Sequence, residues 1–170
     1  MKLYLKGHDY KYATEQMLLM LFPGQRPEYP DTPPEAGEDS LALTLSRTKG
    51  RATGHAVLTW AGRRYSRFAW AADPGEKDRL ERDRVLQRVL KNAFYRAGTE
   101  ALGREPPWGA LTGVRPVKIP TKALTRGLTL RQADAQLRDL YRVSPDRRRL
   151  ALDCAQAAIA VRESLKPEEL

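Results

Sequence analysis

One segment of this 170-residue chain gathers most of the residue types that recognise anions. From Pro106 to Pro120, "PPWGALTGVRPVKIP" holds four prolines, two glycines and one each of tryptophan, threonine, arginine and lysine. Pro116 suits a first helical position, and Gly113 lets the chain enter it at an unusual angle. A helix start preceded by Thr112 and Gly113 and flanked by Arg115 and Lys118 is an anion site in outline. The same residues also describe a joint between two modules, with Trp108 plugging a core and Arg115 capping or pairing internally. Spacing alone does not separate the two.

No other constellation in the sequence points to catalysis. The single cysteine, Cys154, permits no internal disulfide and no thiolate metal site, and its position on a helix predicts a buried, inert thiol. His8 falls in a strand-to-helix turn and His55 in a strand, neither with neighbours at ligand spacing, so no metal is expected. Glu168 and Glu169 read as a solvated tail. GxGxxG and GxxxxGK[ST] loops are absent. No apolar run approaches the roughly 18 residues that span a bilayer. The start, "MKLYLKGHDYKY", lacks an apolar signal core, so the expectation is cytoplasmic with no membrane partner.

Charge narrows the partners. The net charge of +9 is uneven: residues 1–39 hold four Lys/Arg against seven Asp/Glu, and the remainder holds 26 against 14. A basic surface implies nucleic acid, a phosphorylated cofactor or a polycarboxylate. Arg63, Arg64 and Arg67 decorate a hairpin, and Arg147, Arg148 and Arg149 begin a helix. A nucleic-acid surface wants aromatics among its cations. Phe68 and Trp70 alternate onto one face as core residues would, which counts against nucleic acid.

The elements that position these residues follow from periodicity. "KLYLK" (2–6) alternates as a strand, and residues 10–22 read as a helix burying Ala13, Met17 and Leu21, or Leu18, before Pro23 stops it. Residues 23–39 are a long Pro/Gly/acid loop, hence mobile or functional. Three strands follow. Leu41, Leu43 and Leu45 share one face of the first, and Ala56, Leu58 and Trp60 one face of the second. Ala61–Gly62 turns into the third, where Ser66, Phe68 and Trp70 oppose Tyr65, Arg67 and Ala69. Asp73 as N-cap, Pro74 and Glu76 open a helix from about Pro74 to Ala101, with Leu80, Val85, Leu86, Val89, Ala93, Phe94 and Ala97 inward and Gly103 ending it. This helix should cover Trp60, Phe68 and Trp70. The fold class is therefore α+β: residues 1–103 form an antiparallel sheet of three to four strands with helices packed on it. Residues 104–170 form an all-helical segment. Within it Thr129 and Gln132 make a capping box over a stripe of Leu130, Ala133, Leu137, Leu140 and Tyr141. Ser144–Pro145 then starts a helix with Leu150, Cys154, Ala157, Ala158, Val161 and Leu165 inward, ended by Pro167.

"WGALTGVRPVKI" (108–119) also resembles the "WG-LTG-RP-K" stretch near the N-terminus of radical S-adenosylmethionine proteins called coproporphyrinogen dehydrogenases, relatives of oxygen-independent coproporphyrinogen III oxidase. The likeness extends to element order and to "GLTLRQA" at Gly127–Ala133. It implies a parent oxidoreductase of heme biosynthesis. There a four-iron, four-sulfur cluster on a CxxxCxxC motif cleaves S-adenosylmethionine, and the radical starts oxidative decarboxylation of two propionates of coproporphyrinogen III, giving protoporphyrinogen IX. This chain has no such motif. The resemblance thus implies an N-terminal region that precedes the parent's barrel, holds no cofactor and does not catalyse alone. Trp108, Thr112, Gly113, Arg115 and Lys118 become candidate contacts to the barrel or to an anionic tetrapyrrole, with docking favoured over substrate contact. The alternative is a basic nucleic-acid-binding module.

Overall fold

The computed structural model describes residues 1–73, 75, 78–113 and 115–165. The chain divides into two units, Met1–Pro106 and Pro107–Leu170, and the fold is α+β with a helical C-terminal part.

The first unit runs β1 (Lys2–Lys6), α1 (Lys11–Leu21), β2 (Ser40–Thr48), β3 (Arg51–Trp60), β4 (Arg63–Ala72) and α2 (Arg79–Leu102). The strands lie in the order β1-β2-β3-β4. The pairs β2–β3 and β3–β4 are antiparallel, whereas β1 pairs β2 in parallel, so the sheet is mixed. Both antiparallel connections are two-residue turns, Lys49–Gly50 and Ala61–Gly62, with positive φ at all four residues. Such turns match the twist of the flanking strands.

One face of the sheet is covered. Leu41, Leu43, Leu45, Ala56 and Leu58 are buried there, together with Val85, Leu86, Val89, Leu90, Ala93, Phe94 and Ala97 of α2. Ala13 and Met17 of α1 meet Leu43, Leu90 and Phe94. Helix α1 buries both alternatives, Leu18 as well as Leu21. Gly54 lets α2 lie close: a Cβ there would stand 3.0 Å from the Val89 carbonyl oxygen. Trp60 is half-buried on the covered face, its ring 4.6 Å from Phe22.

Several expectations are corrected here. Phe68 and Trp70 do not lie under the helix; they are 53% and 66% exposed on the opposite face. The two-residue turn sets Trp60 opposite Arg63, so the inward residues of β3 pair with Tyr65, Arg67, Ala69 and Ala71. Small residues at Ala52, Gly54 and Ala69 admit α2, and Arg67 reaches out to pair with Glu100 on it. Helix α2 starts later than its signals suggest. Its N-cap is Asp78, whose carboxylate accepts from the Glu81 N–H, and Leu80 is exposed. Asp73 instead pairs with Arg47 at 2.7 Å, while Pro74 and Glu76 lie outside the described residues. Gly103 ends the helix in the left-handed conformation.

The Pro-rich loop is tied down rather than loose. Its Glu28 exchanges backbone hydrogen bonds with Leu3 (2.7 Å) and Met1 (3.1 Å), along the outer edge of β1. The Tyr29 hydroxyl donates to Glu15 at 2.6 Å. The loop thereby guards a strand edge that would otherwise offer free backbone groups.

The second unit holds α3 (Lys118–Thr125), α4 (Leu130–Tyr141) and α5 (Pro145–Ser164). The capping box of Thr129 and Gln132 is formed as expected. The core gathers Leu137, Val143 and Ala151, with Trp108, Leu111, Ile119, Tyr141 and Leu152 packed against it. Leu130 is exposed. Helix α5 buries Ala151 and Ala155, not the expected stripe: Leu150, Cys154, Ala157, Ala158, Val161 and Leu165 are all exposed. Cys154 is therefore a surface thiol. The tail with Pro167, Glu168 and Glu169 lies outside the described residues. Among the described residues no helix is long and apolar enough to cross a membrane.

Candidate functional site

The segment Trp108–Ile119 divides into a structural half and a presented half. Pro107 accepts from the Ser144 N–H at 3.0 Å, and the Ala110 N–H donates to Tyr141 at 2.7 Å. These bonds press the segment against the α4–α5 junction. Gly109 sits at the tightest point, with φ of 60°, and a Cβ there would stand 2.1 Å from the Tyr141 carbonyl oxygen and 2.3 Å from that of Arg142. No other residue fits that approach. Trp108 is half-buried in the helical core, and its exposed side carries the Arg147 guanidinium 5.7 Å from the ring centroid. The "WG" pair is thus accounted for by packing.

The polar half stands outside. Thr112 is half-buried, Gly113 is exposed with φ of 124°, and Arg115 and Lys118 are both exposed. Neither cation makes a salt bridge among the described residues, so the internal pairing open to Arg115 is not formed. Helix α3 begins at Lys118, after Val117, and not at Pro116. Gly113, Arg115 and Lys118 are thus exposed and Thr112 half-buried; one turn joins Arg115 to Lys118, whose N–H donates to the Arg115 carbonyl at 3.2 Å, while Trp108 packs in the helical core. Val114 lies outside the described residues.

The arginine run at the start of α5 also divides. Arg148 donates to Asp134 at 2.7 Å and to the Val143 carbonyl at 2.9 Å, bracing α5 against α4. Arg147 lies over Trp108, and Arg149 is exposed. Of the run, Arg148 is the strut.

Sequence reasoning missed a second surface, the open face of the first unit's sheet. His55 and Phe68 face each other across β3 and β4 with ring centroids 3.9 Å apart and planes 7° from parallel. Arg51 lies 4.7 Å over the Trp70 ring. The His55 ring meets the Ser66 hydroxyl at 2.8 Å, and burial followed by the nearby Arg64 charge pulls its pKa below the ordinary value. The turn arithmetic that moves Phe68 and Trp70 outward was present in the sequence: a two-residue loop after Trp60 forces odd-numbered positions of β4 to face inward.

His8 is half-buried and structural. It accepts the Tyr10 N–H at Nδ1 (3.2 Å), so Nε2 carries the ring proton and donates to Leu43 (3.1 Å). Desolvation pulls its pKa below the usual histidine range. Among the described residues no three His, Cys, Asp or Glu side chains gather to hold a metal. The cluster implied by the resemblance does not fit the residues present, because it takes three thiolates and the chain has one cysteine. Comparison of the chain with family models, with curated proteins and with solved structures returns no match.

Proposed function

We propose that the chain is the N-terminal, non-catalytic region of a radical S-adenosylmethionine oxidoreductase of tetrapyrrole synthesis, and that its helical unit docks on the parent's barrel. The observation that carries this reading is the uncovered side of α5. Leu150, Cys154, Ala157, Val161 and Leu165 recur at helical spacing and stand exposed, while Ala151 and Ala155 anchor the other side. A continuous apolar strip on a helix that is already packed marks an interaction surface. The identity of the partner rests on the resemblance of "WGALTGVRPVKI" to the family's stretch. In the same unit Arg115 and Lys118 present cations suited to an acidic patch on the barrel, or to the propionates of an anionic tetrapyrrole.

The test is made in the full-length parent. Leu150→Asp with Val161→Asp should lower coproporphyrinogen decarboxylation at least tenfold. In the 170-residue chain the same pair should leave the melting temperature nearly unchanged, since both sites are exposed. Arg115→Ala should lower the parent's activity more than Lys118→Ala, and Arg115→Lys should separate fork recognition from charge alone. Full activity in the double variant overturns the docking reading.

A further inference from the structure

We propose that the open face of the first unit's sheet binds single-stranded nucleic acid, its bases stacking on Phe68 and Trp70 and its phosphates meeting Lys6, Arg51 and Arg64. This surface lies wholly in the first unit, and the proposal does not rest on the docking of the second.

The argument begins with the register. Pairing across the sheet puts Arg51, Thr53, His55 and Val57 of β3 on the same face as Arg64, Ser66, Phe68 and Trp70 of β4. Ala42, Thr44 and Ser46 of β2 join them, followed by Tyr4 and Lys6 of β1. Within the first unit α1 and α2 lie on the other face; here Lys6, Ser46, Arg51, Arg64, Ser66, Phe68 and Trp70 are exposed and the remainder half-buried. Two large aromatics left in water on a flat, four-stranded platform demand a reason, because the sheet's other side already supplies the core.

Charge decides which partner. Of the strands' seven Lys/Arg, four lie on the open face, Lys2, Lys6, Arg51 and Arg64, and the strands bring not one Asp/Glu to it; Lys2 is paired with Glu38 from the loop. A protein partner of mixed charge does not call for so one-sided a surface, whereas a polyanion does. The aromatics decide which polyanion. Phe68 and Trp70 are two residues apart on one strand, so their rings stand about 7 Å apart. His55 backs Phe68 and Arg51 backs Trp70, which holds both rings in place. Unpaired bases splayed along a strand can each take one such ring, and every base offers a π-face. Duplex bases are already stacked and cannot. Hydroxyls of Thr44, Thr53 and Ser66 lie between the rings and the cations as hydrogen-bonding partners for base edges or sugars.

The test is fluorescence anisotropy on the whole 170-residue chain with labelled 12-nucleotide dT and rU oligomers, a 12-base-pair duplex as control, and a salt series from 50 to 300 mM. The expected result is tighter binding of the single strands than of the duplex, weakening with salt at a logarithmic slope of about −2 for three phosphate contacts. Phe68→Ala with Trp70→Ala should weaken single-strand binding about 10- to 100-fold. Lys6→Gln with Arg64→Gln should weaken it less and flatten the salt slope, providing a second variant that leaves both rings and their supports, His55 and Arg51, in place. Far-UV melting curves confirm that each variant is folded. Four results overturn the proposal: no binding at 50 mM salt, equal binding by the aromatic variant, preference for duplex, or a dimer that the aromatic variant abolishes while oligomers do not bind.

Discussion

Helices α2 and α5 carry apolar stripes of similar quality and meet opposite fates. On α2, residues from Val85 to Ala97 sink against the sheet, and Phe94 and Ala97 are fully buried. On α5 the stripe from Leu150 to Leu165 stays in water, and the helix is held instead by Ala151, Ala155 and the Arg148–Asp134 pair. Periodicity reports that a face is apolar; it does not report that this chain supplies the cover. What decides is whether an opposing surface of the right shape is available. The sheet offers α2 a bed of small residues, whereas the helical core takes from α5 chiefly Ala151, Ala155 and part of Leu152.

The comparison breaks most sharply at Gly109. Gly109→Ala places a methyl group against two backbone oxygens and asks an L-residue to hold φ of 60°. We expect a loss of about 4 kcal/mol or more, seen as unfolding of the second unit in thermal and urea scans. A near-normal melt would mean that the α4–α5 junction packs differently from this description.

The two stripes themselves give the next effects. Phe94→Ala should cost about 3–5 kcal/mol and Leu86→Ala about 2–4 kcal/mol, as buried cavities do. Leu150→Ser and Val161→Ser on α5 should each stay within about 0.5 kcal/mol in urea unfolding. Equal losses on the two helices would erase the distinction.

Much of the first unit was legible because its signals are local. Strand alternation and the Ala61–Gly62 turn each rest on a few neighbouring residues, as does the Thr129 capping box in the second unit. Phe68 and Trp70 were misplaced by weighing side-chain size above register, although the Ala61–Gly62 turn already determined which parity of β4 faces inward. The start of α2 was illegible for another reason: Asp73 and Asp78 both offer a cap, and only the tertiary partner Arg47 claims Asp73 for itself. On α5 the sequence "LALDCAQAAIAV" is apolar on more than one side, so its phase follows from Leu137, Val143 and Ala151 meeting in space. Of the candidate site, the sequence located the segment but could not divide Trp108 and Gly109, which pack, from Arg115 and Lys118, which do not.

Smaller effects sharpen the account of the sheet. Ala61 holds φ of 49° in the β3–β4 turn, a conformation glycine adopts freely. Ala61→Gly should raise stability by about 0.5–1 kcal/mol in urea unfolding. His8 titrates lower in the fold than in the unfolded chain, because its burial disfavours the charged ring. The stability it contributes is therefore present above pH about 6.5 and declines as pH falls below that value. The carboxylates Asp73 and Asp139, held low chiefly by hydrogen bonds from Arg47 and Arg138, add their loss only at more acid pH. Urea midpoints at pH 7.5 and 5.5 should differ less in His8→Asn than in the unaltered chain.

Cys154 offers the most direct measurement of the central claim, because it lies in the middle of the exposed α5 stripe. Its alkylation by a maleimide can be followed by mass spectrometry of the peptide that contains it. In the 170-residue chain the thiol should react at close to the rate of a free cysteine. In the full-length parent, with the barrel docked over α5, it should react at least tenfold more slowly. Slow reaction in the chain alone would contradict the uncovered stripe, and equal rates in both proteins would contradict the docking.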